Sequence, residues 1–97
     1  MSLLKIPEKL KIGGFEWRVK EVKHLISDRE RLGEMAPRTQ EIVIEEESSE
    51  QQKEETLIHE IIEALNFLYN INLEHYQIEL LGVTLHQVLK DNKINFL

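Results

Sequence analysis

The stretch HEIIE, residues 59–63, carries side chains that could together hold a metal ion and supply a general base. His59 and Glu63 are four residues apart, so a helix would bring them to one face with their Cβ atoms roughly 6 Å apart. At that separation an imidazole nitrogen and a carboxylate oxygen can both ligate one zinc ion at about 2.0–2.2 Å. Glu60 would lie beside this pair, and in an HExxH site that offset suits a general base rather than a ligand.

An open catalytic zinc needs a third protein ligand, and the next predicted helix offers candidates. His75, Glu79 and His86 fall in one row on that helix. His75 is the softer donor and suits zinc better, whereas an antiparallel helical hairpin places Glu79 level with Glu63. We expect His86 to lie too far along the helix to share an ion with His75. The residues alone leave the choice between His75 and Glu79 open.

Each of these patterns also has a purely structural explanation. HExxE is a weak motif, and His59 and Glu63 lie opposite the apolar face of their helix, where a solvated polar stripe is the commoner outcome. The row of His75 and Glu79 is more often a hydrogen-bonded polar contact than a pair of ligands. The spacing therefore defines a candidate site without establishing one.

The elements that would position these residues follow from the hydrophobic periodicity. In KIGGFEWRVKEV, residues 11–22, the Gly-Gly pair predicts a turn, and the alternation of apolar with charged residues after it predicts a half-buried strand. Short strands over 33–37 and 40–44 complete a sheet that spans about residues 9–44. Helices are expected at about 49–69, capped by Ser48 or Ser49, and at about 74–90.

This order of elements predicts one α+β domain over residues 1–97, with a small antiparallel sheet followed by an active-site helix and a second, antiparallel helix. The short connector between the helices is what indicates the antiparallel hairpin. The expected core consists of Phe15, Trp17, Leu57, Ile61, Leu65, Leu81 and Leu85.

Composition narrows the classes of partner and cofactor. The formal charge is -6, which argues against a nucleic acid and against an anionic membrane surface. The chain has no cysteine, so a metal would have to be held by His and carboxylate side chains. Lysines interrupt the apolar residues of the N-terminal stretch MSLLKIPEKLKI, which argues against a signal peptide and makes the cytoplasm the expected location. Nothing in the sequence selects an oligomeric state.

The segment TLIHEIIEALNFLYNINLEHYQIELLGVTLHQVLKDN resembles a group of small phage and prophage-type bacterial proteins related to the zincins, the HExxH metallopeptidases. The preceding LGEMAPRTQEIVI resembles the small sheet that such proteins place before the active-site helix. The resemblance extends over roughly residues 11–92 and is strongest over 56–92. The usual pattern has a second His where this chain has Glu63, but some members carry Glu there together with a His at the place of His75.

The resemblance implies a ligand set and a catalytic base: His59, Glu63 and His75 as ligands, Glu79 as the alternative third ligand, and Glu60 as the base. A carboxylate at position 63 makes the ion a weaker Lewis acid and favours harder ions, so the expected cofactor is zinc or another divalent metal. The zincin-like layout also implies that strand 40–44 lies beside the cleft, where it could pair with an extended peptide or protein substrate.

Our principal hypothesis is therefore a minimal zincin-like metal-binding protein, with zinc-dependent hydrolysis of peptides as the expected activity. In that reaction the metal would polarise the carbonyl and Glu60 would take a proton from water. The alternative is a non-catalytic interaction module built on a zincin-like scaffold. A nucleic-acid mimic, suggested only by the negative charge, is a third option.

Overall fold

A computed structural model describes residues 6–25 and 31–94 of the chain. Residues 1–5, where the stretch considered for a signal peptide begins, lie outside that part. The elements in chain order are β1 Lys9–Ile12, β2 Phe15–Val22, β3 Gly33–Ala36, β4 Glu41–Glu45, α1 Glu50–Tyr69 and α2 His75–Asp91. The α+β class and the order of strands before helices are confirmed.

The four strands form one sheet in the order β1-β2-β4-β3. β1 and β2 are an antiparallel hairpin around Gly13 and Gly14, whose positive φ angles of 61° and 84° suit a tight turn. β2 and β4 are parallel, with Val19 opposite Ile42, and β3 returns antiparallel to β4. The sheet is thus mostly antiparallel with one parallel pairing, because the chain crosses over after β2 and adds β3 at the edge before β4.

This topology corrects the expected location of the strand beside the cleft. The strand predicted over 40–44 corresponds to β4, which is hydrogen-bonded to β2 on one side and to β3 on the other. Its backbone groups are therefore already used, so it cannot pair with a peptide. Within the described part of the chain β3 is the edge strand on that side of the sheet.

The core lies between the sheet and α1. Trp17, Ile42 and Ile44 are buried in the sheet, and Leu57 and Ala64 pack on them from α1. Of the other residues expected in the core, some are partly buried against this cluster and some are about half exposed. The first group is Ile61 and Leu65, and the second is Phe15, Leu81 and Leu85.

The expectation that Phe15, Leu81 and Leu85 belong to the core was wrong, and the place of each residue in the fold explains why. Phe15 is the first residue of β2, at the end of the sheet beside the exposed turn. Leu81 and Leu85 lie on α2, whose main packing partner is α1. A single neighbouring helix buries only one stripe of a helix, and on α2 that stripe is Ile78, Gly82 and His86.

Local hydrogen bonds set the ends of the helical hairpin. Ser49 is the N-cap of α1, its side-chain oxygen accepting from the backbone N–H of Gln52 at 3.1 Å. Asn70 ends the helix in the left-handed conformation with φ 49°. The backbone N–H of Leu73 then donates to Asn66 Oδ1 at 2.9 Å, which ties the connector to α1. In the described part of the chain, neither helix is long and apolar enough to cross a membrane.

Candidate metal and general-base site

An open pocket of about 670 Å³ lies between the edge strand and the two helices. It brings together all five residues that the sequence singled out, together with side chains from the segment at β3. The lining residues are Arg31, Leu32, Gly33, Glu34, Met35, Thr56, His59, Glu60, Glu63, His75 and Glu79. Among these described residues four are carboxylates and one is a guanidinium, so the pocket favours a cation.

Gly33 sets how closely α1 approaches β3. A Cβ at this position would lie 2.5 Å from Thr56 Cγ2 and 3.3 Å from Glu60 Oε2. The first distance is shorter than carbon atoms tolerate, so glycine is what allows the helix to seat Glu60 against the strand. Reasoning from the sequence missed this role, although a glycine at the start of a strand is a recognised sign of close backbone approach.

Glu60 is buried, with 7% of its surface exposed. Burial is the main cause that raises its pKa to about 7; the negative charges of Glu63 and Glu34 contribute to this rise, and the positive charge of Arg31 opposes it. A carboxyl group with a pKa near neutrality can both accept and release a proton under ordinary conditions. The general-base role expected for Glu60 is therefore consistent with its surroundings.

His59 and Glu63 form the first His–carboxylate pair at the pocket. His59 Nε2 lies 3.7 Å from Glu63 Oε2, and both side chains are partly buried. The backbone of α2 passes close to His59, since the position of a Cβ on Gly82 would be 3.5 Å from His59 Cα. The pair is accordingly not the fully solvated stripe that the isolated motif allowed.

His75 and Glu79 form the second pair, at the start of α2. His75 Nε2 lies 3.0 Å from Glu79 Oε1, and both side chains are well exposed. The rings of His59 and His75 have their centroids 6.0 Å apart and meet edge to face. Two imidazoles that ligate one zinc ion have centroids roughly 5–6 Å apart, given a Zn–N distance of about 2.0–2.1 Å. The two helices therefore hold their His side chains at nearly the separation that a shared ion requires.

The donor set fits a divalent metal by its chemistry, and holding one would require side-chain movement. As the side chains stand in the described residues, no three His, Asp or Glu side chains are already arranged to hold an ion. Each imidazole is turned toward the carboxylate on its own helix. His75 is well exposed and so has room to change rotamer, and its ring already lies next to that of His59.

His86 lies at the other end of the hairpin, as expected. Its Nε2 is 2.9 Å from Glu54 Oε1, and both side chains are buried. Because His86 near the end of α2 meets Glu54 near the start of α1, while His75 meets His59, the helices run antiparallel. Glu54 was not singled out from the sequence, where it is one of several glutamates in an acidic run.

Comparison with protein-family models, with curated proteins and with solved structures finds no match to this chain.

Proposed function

We propose that this protein binds one divalent metal ion, with zinc as the first choice, and uses it to hydrolyse peptides. The ligands would be His59, Glu63 and His75, with Glu79 as the alternative to His75. The observation that supports this most strongly is the convergence of two His–carboxylate pairs, from separate helices, on one pocket beside a buried glutamate. A chance polar stripe on either helix gives no reason for that convergence.

Glu60 would act as the general base. A divalent ion, when bound, supplies a Lewis acid that polarises a carbonyl group and acidifies water. Glu60 is seated against Gly33 at the floor of the pocket, and its carboxylate can take a proton from water and return it to a leaving amine. Arg31 and Glu34 line the same pocket and modulate the pKa of Glu60 by their charges.

The substrate class follows from the edge strand. β3 pairs with β4 through one edge, and the segment that contains it lines the pocket. An extended peptide could add to the other edge of β3 through backbone hydrogen bonds, which would place its carbonyl groups near Glu60. A site of action in the cytoplasm stays part of the proposal.

A zinc titration of metal-stripped protein by calorimetry tests the site. We expect binding at micromolar or tighter concentration, with His59→Ala, Glu63→Ala and His75→Ala each weakening it by at least about tenfold. Glu79→Gln distinguishes the two candidates for third ligand, since only one of positions 75 and 79 should be indispensable. His24→Asn is the control, because it removes an imidazole that does not line this pocket and Asn tolerates the positive φ of 71° found there.

If the unmodified protein does not bind zinc, or if the His59 and His75 variants both bind zinc as strongly as the unmodified protein does, this site is excluded. Hydrolysis is a separate question, tested with Glu60→Gln on a mixture of fluorogenic peptides. The variant should keep zinc and lose turnover. If the unmodified protein binds zinc but cleaves none of the peptides, the non-catalytic scaffold becomes the better description. The carboxylate at position 63, which weakens the Lewis acid, is the feature that favours this second candidate.

A further inference from the structure

The outer face of α2, opposite α1, is apolar and exposed. We define this outer face as Tyr76, Leu80, Leu81, Thr84, Leu85 and Val88. Its five large apolar members expose between 40% and 66% of their surface. Tyr76 and Leu80 are the most exposed, at 66% and 61%. An isolated exposed leucine is ordinary, but five large apolar residues on one helix form a contiguous patch of the kind that marks an interaction surface.

Two polar side chains on and beside this face, Thr84 and Gln87, make hydrogen bonds within the chain. Thr84 Oγ1 donates to the backbone oxygen of Leu80 at 2.7 Å, so its methyl group faces outward. Gln87 Nε2 donates to Asp91 Oδ2 at 2.9 Å. Because the main cost of burying a polar group comes from hydrogen bonds lost to water, these bonds reduce the penalty for burying Thr84 and Gln87.

Charge indicates what kind of partner would cover the face. The chain carries a formal charge of -6, but none of the six residues of the outer face is charged. A basic partner would gain most from the acidic surfaces elsewhere on the molecule. Two copies of an acidic chain, in contrast, can approach each other closely only through a neutral face.

We propose that two copies of this chain associate through the outer face of α2, around a twofold axis close to Thr84. A small residue at the centre allows the two helices to approach closely. The antiparallel pairing then sets Leu80 of one copy against Val88 of the other, with the larger side chains around Thr84. These six residues together expose less than the roughly 800 Å² that each partner buries in a standard interface, so we expect a weak, reversible dimer.

Sedimentation velocity from about 1 µM to about 500 µM tests the association. We expect a shift from monomer to dimer across this range for the unmodified chain. Leu80→Lys and Leu81→Lys should each raise the dissociation constant at least about tenfold. Lysine reduces the net negative charge, so weaker association could not be due to greater overall repulsion. Phe15→Lys is the control, because Phe15 is as exposed as these leucines but lies on β2.

Circular dichroism confirms that each variant is folded, and Tyr76→Lys replaces any that is not. A chain that stays monomeric at the highest concentration overturns the proposal. So does a dimer that persists in folded Leu80, Leu81 and Tyr76 variants, since it would use another surface.

Because the chain contains no cysteine, a single introduced cysteine can test the position of the twofold axis. Thr84→Cys should form disulfide-linked dimers under mild oxidation, since a residue on a twofold axis meets its own copy. Thr39→Cys, the same change in an exposed turn, should not. Equal cross-linking of the two variants would contradict the proposed axis. The association does not depend on the metal site, so either proposal can fail without the other.

Discussion

Glu60→Gln should change the pH dependence of stability in metal-free protein. Burial, with smaller contributions from nearby charges, raises the pKa of Glu60 from 4.5 to about 7. Between these values the folded state binds more protons than the unfolded state, so the stability of the unmodified protein falls as pH rises through that window. A pKa shift of this size corresponds to a change of about 3 kcal/mol in the free energy of unfolding. Glutamine does not titrate, so this loss should vanish in the variant.

The assay is urea unfolding at pH 5, 6, 7 and 8 in the presence of a chelator. The fluorescence of Trp17, the only tryptophan in the chain, reports unfolding from the core. The free energy of unfolding of Glu60→Gln, relative to the unmodified protein, should rise by about 2–3 kcal/mol between pH 5 and pH 8. Any constant effect of the amide cancels in this comparison.

Glu46→Gln, the same change at an exposed turn residue, is the control and should give a difference that does not vary with pH. If the difference for Glu60→Gln is equally flat, the carboxyl group is not held in the low-dielectric setting that its burial indicates, and the reasoning about the general base fails.

Two further changes test the packing that supports the pocket. His86→Ala should lower the free energy of unfolding by about 3 kcal/mol, because it leaves the buried Glu54 without this partner; an unchanged urea midpoint would show that the pair contributes little. Gly33→Ala should cost about 1–3 kcal/mol through the contact of its Cβ with Thr56 Cγ2. Adding Thr56→Ser, which removes that methyl group and keeps the hydroxyl that accepts from Gln52, should recover part of the loss; failure to recover it would place the strain elsewhere.

α2 contributes both to the proposed metal site and to the proposed dimer interface. This helix carries His75 and Glu79 at its start, and its main packing partner in the described part of the chain is α1. Association through the outer face would hold α2 from its other side. Thermal melts of the metal-free protein at two concentrations would show whether dimer formation raises the midpoint, as expected when a partner binds only the folded state.

Features that depend on near neighbours in the chain could be predicted from the residues alone. The spacing of four residues brings His59 and Glu63 to one face of a helix whatever the rest of the fold does, and Ser49 caps that helix through a bond to a residue three positions away. The alternation in β2 and the helical periodicity that follows were enough to predict the α+β class.

Features that depend on contacts between distant segments could not be predicted in this way. Among the described residues β3, and not β4, is an edge strand, because strand neighbours and register depend on packing across the whole sheet. The burial that raises the pKa of Glu60 requires Gly33 from another element, and Glu54 finds His86 only because the helices fold back on each other. The apolar periodicity of α2 predicted burial for Leu81 and Leu85, but α1 covers only one stripe of that helix. Periodicity shows which residues are suited to a core, whereas the number of neighbouring elements decides which of them are buried.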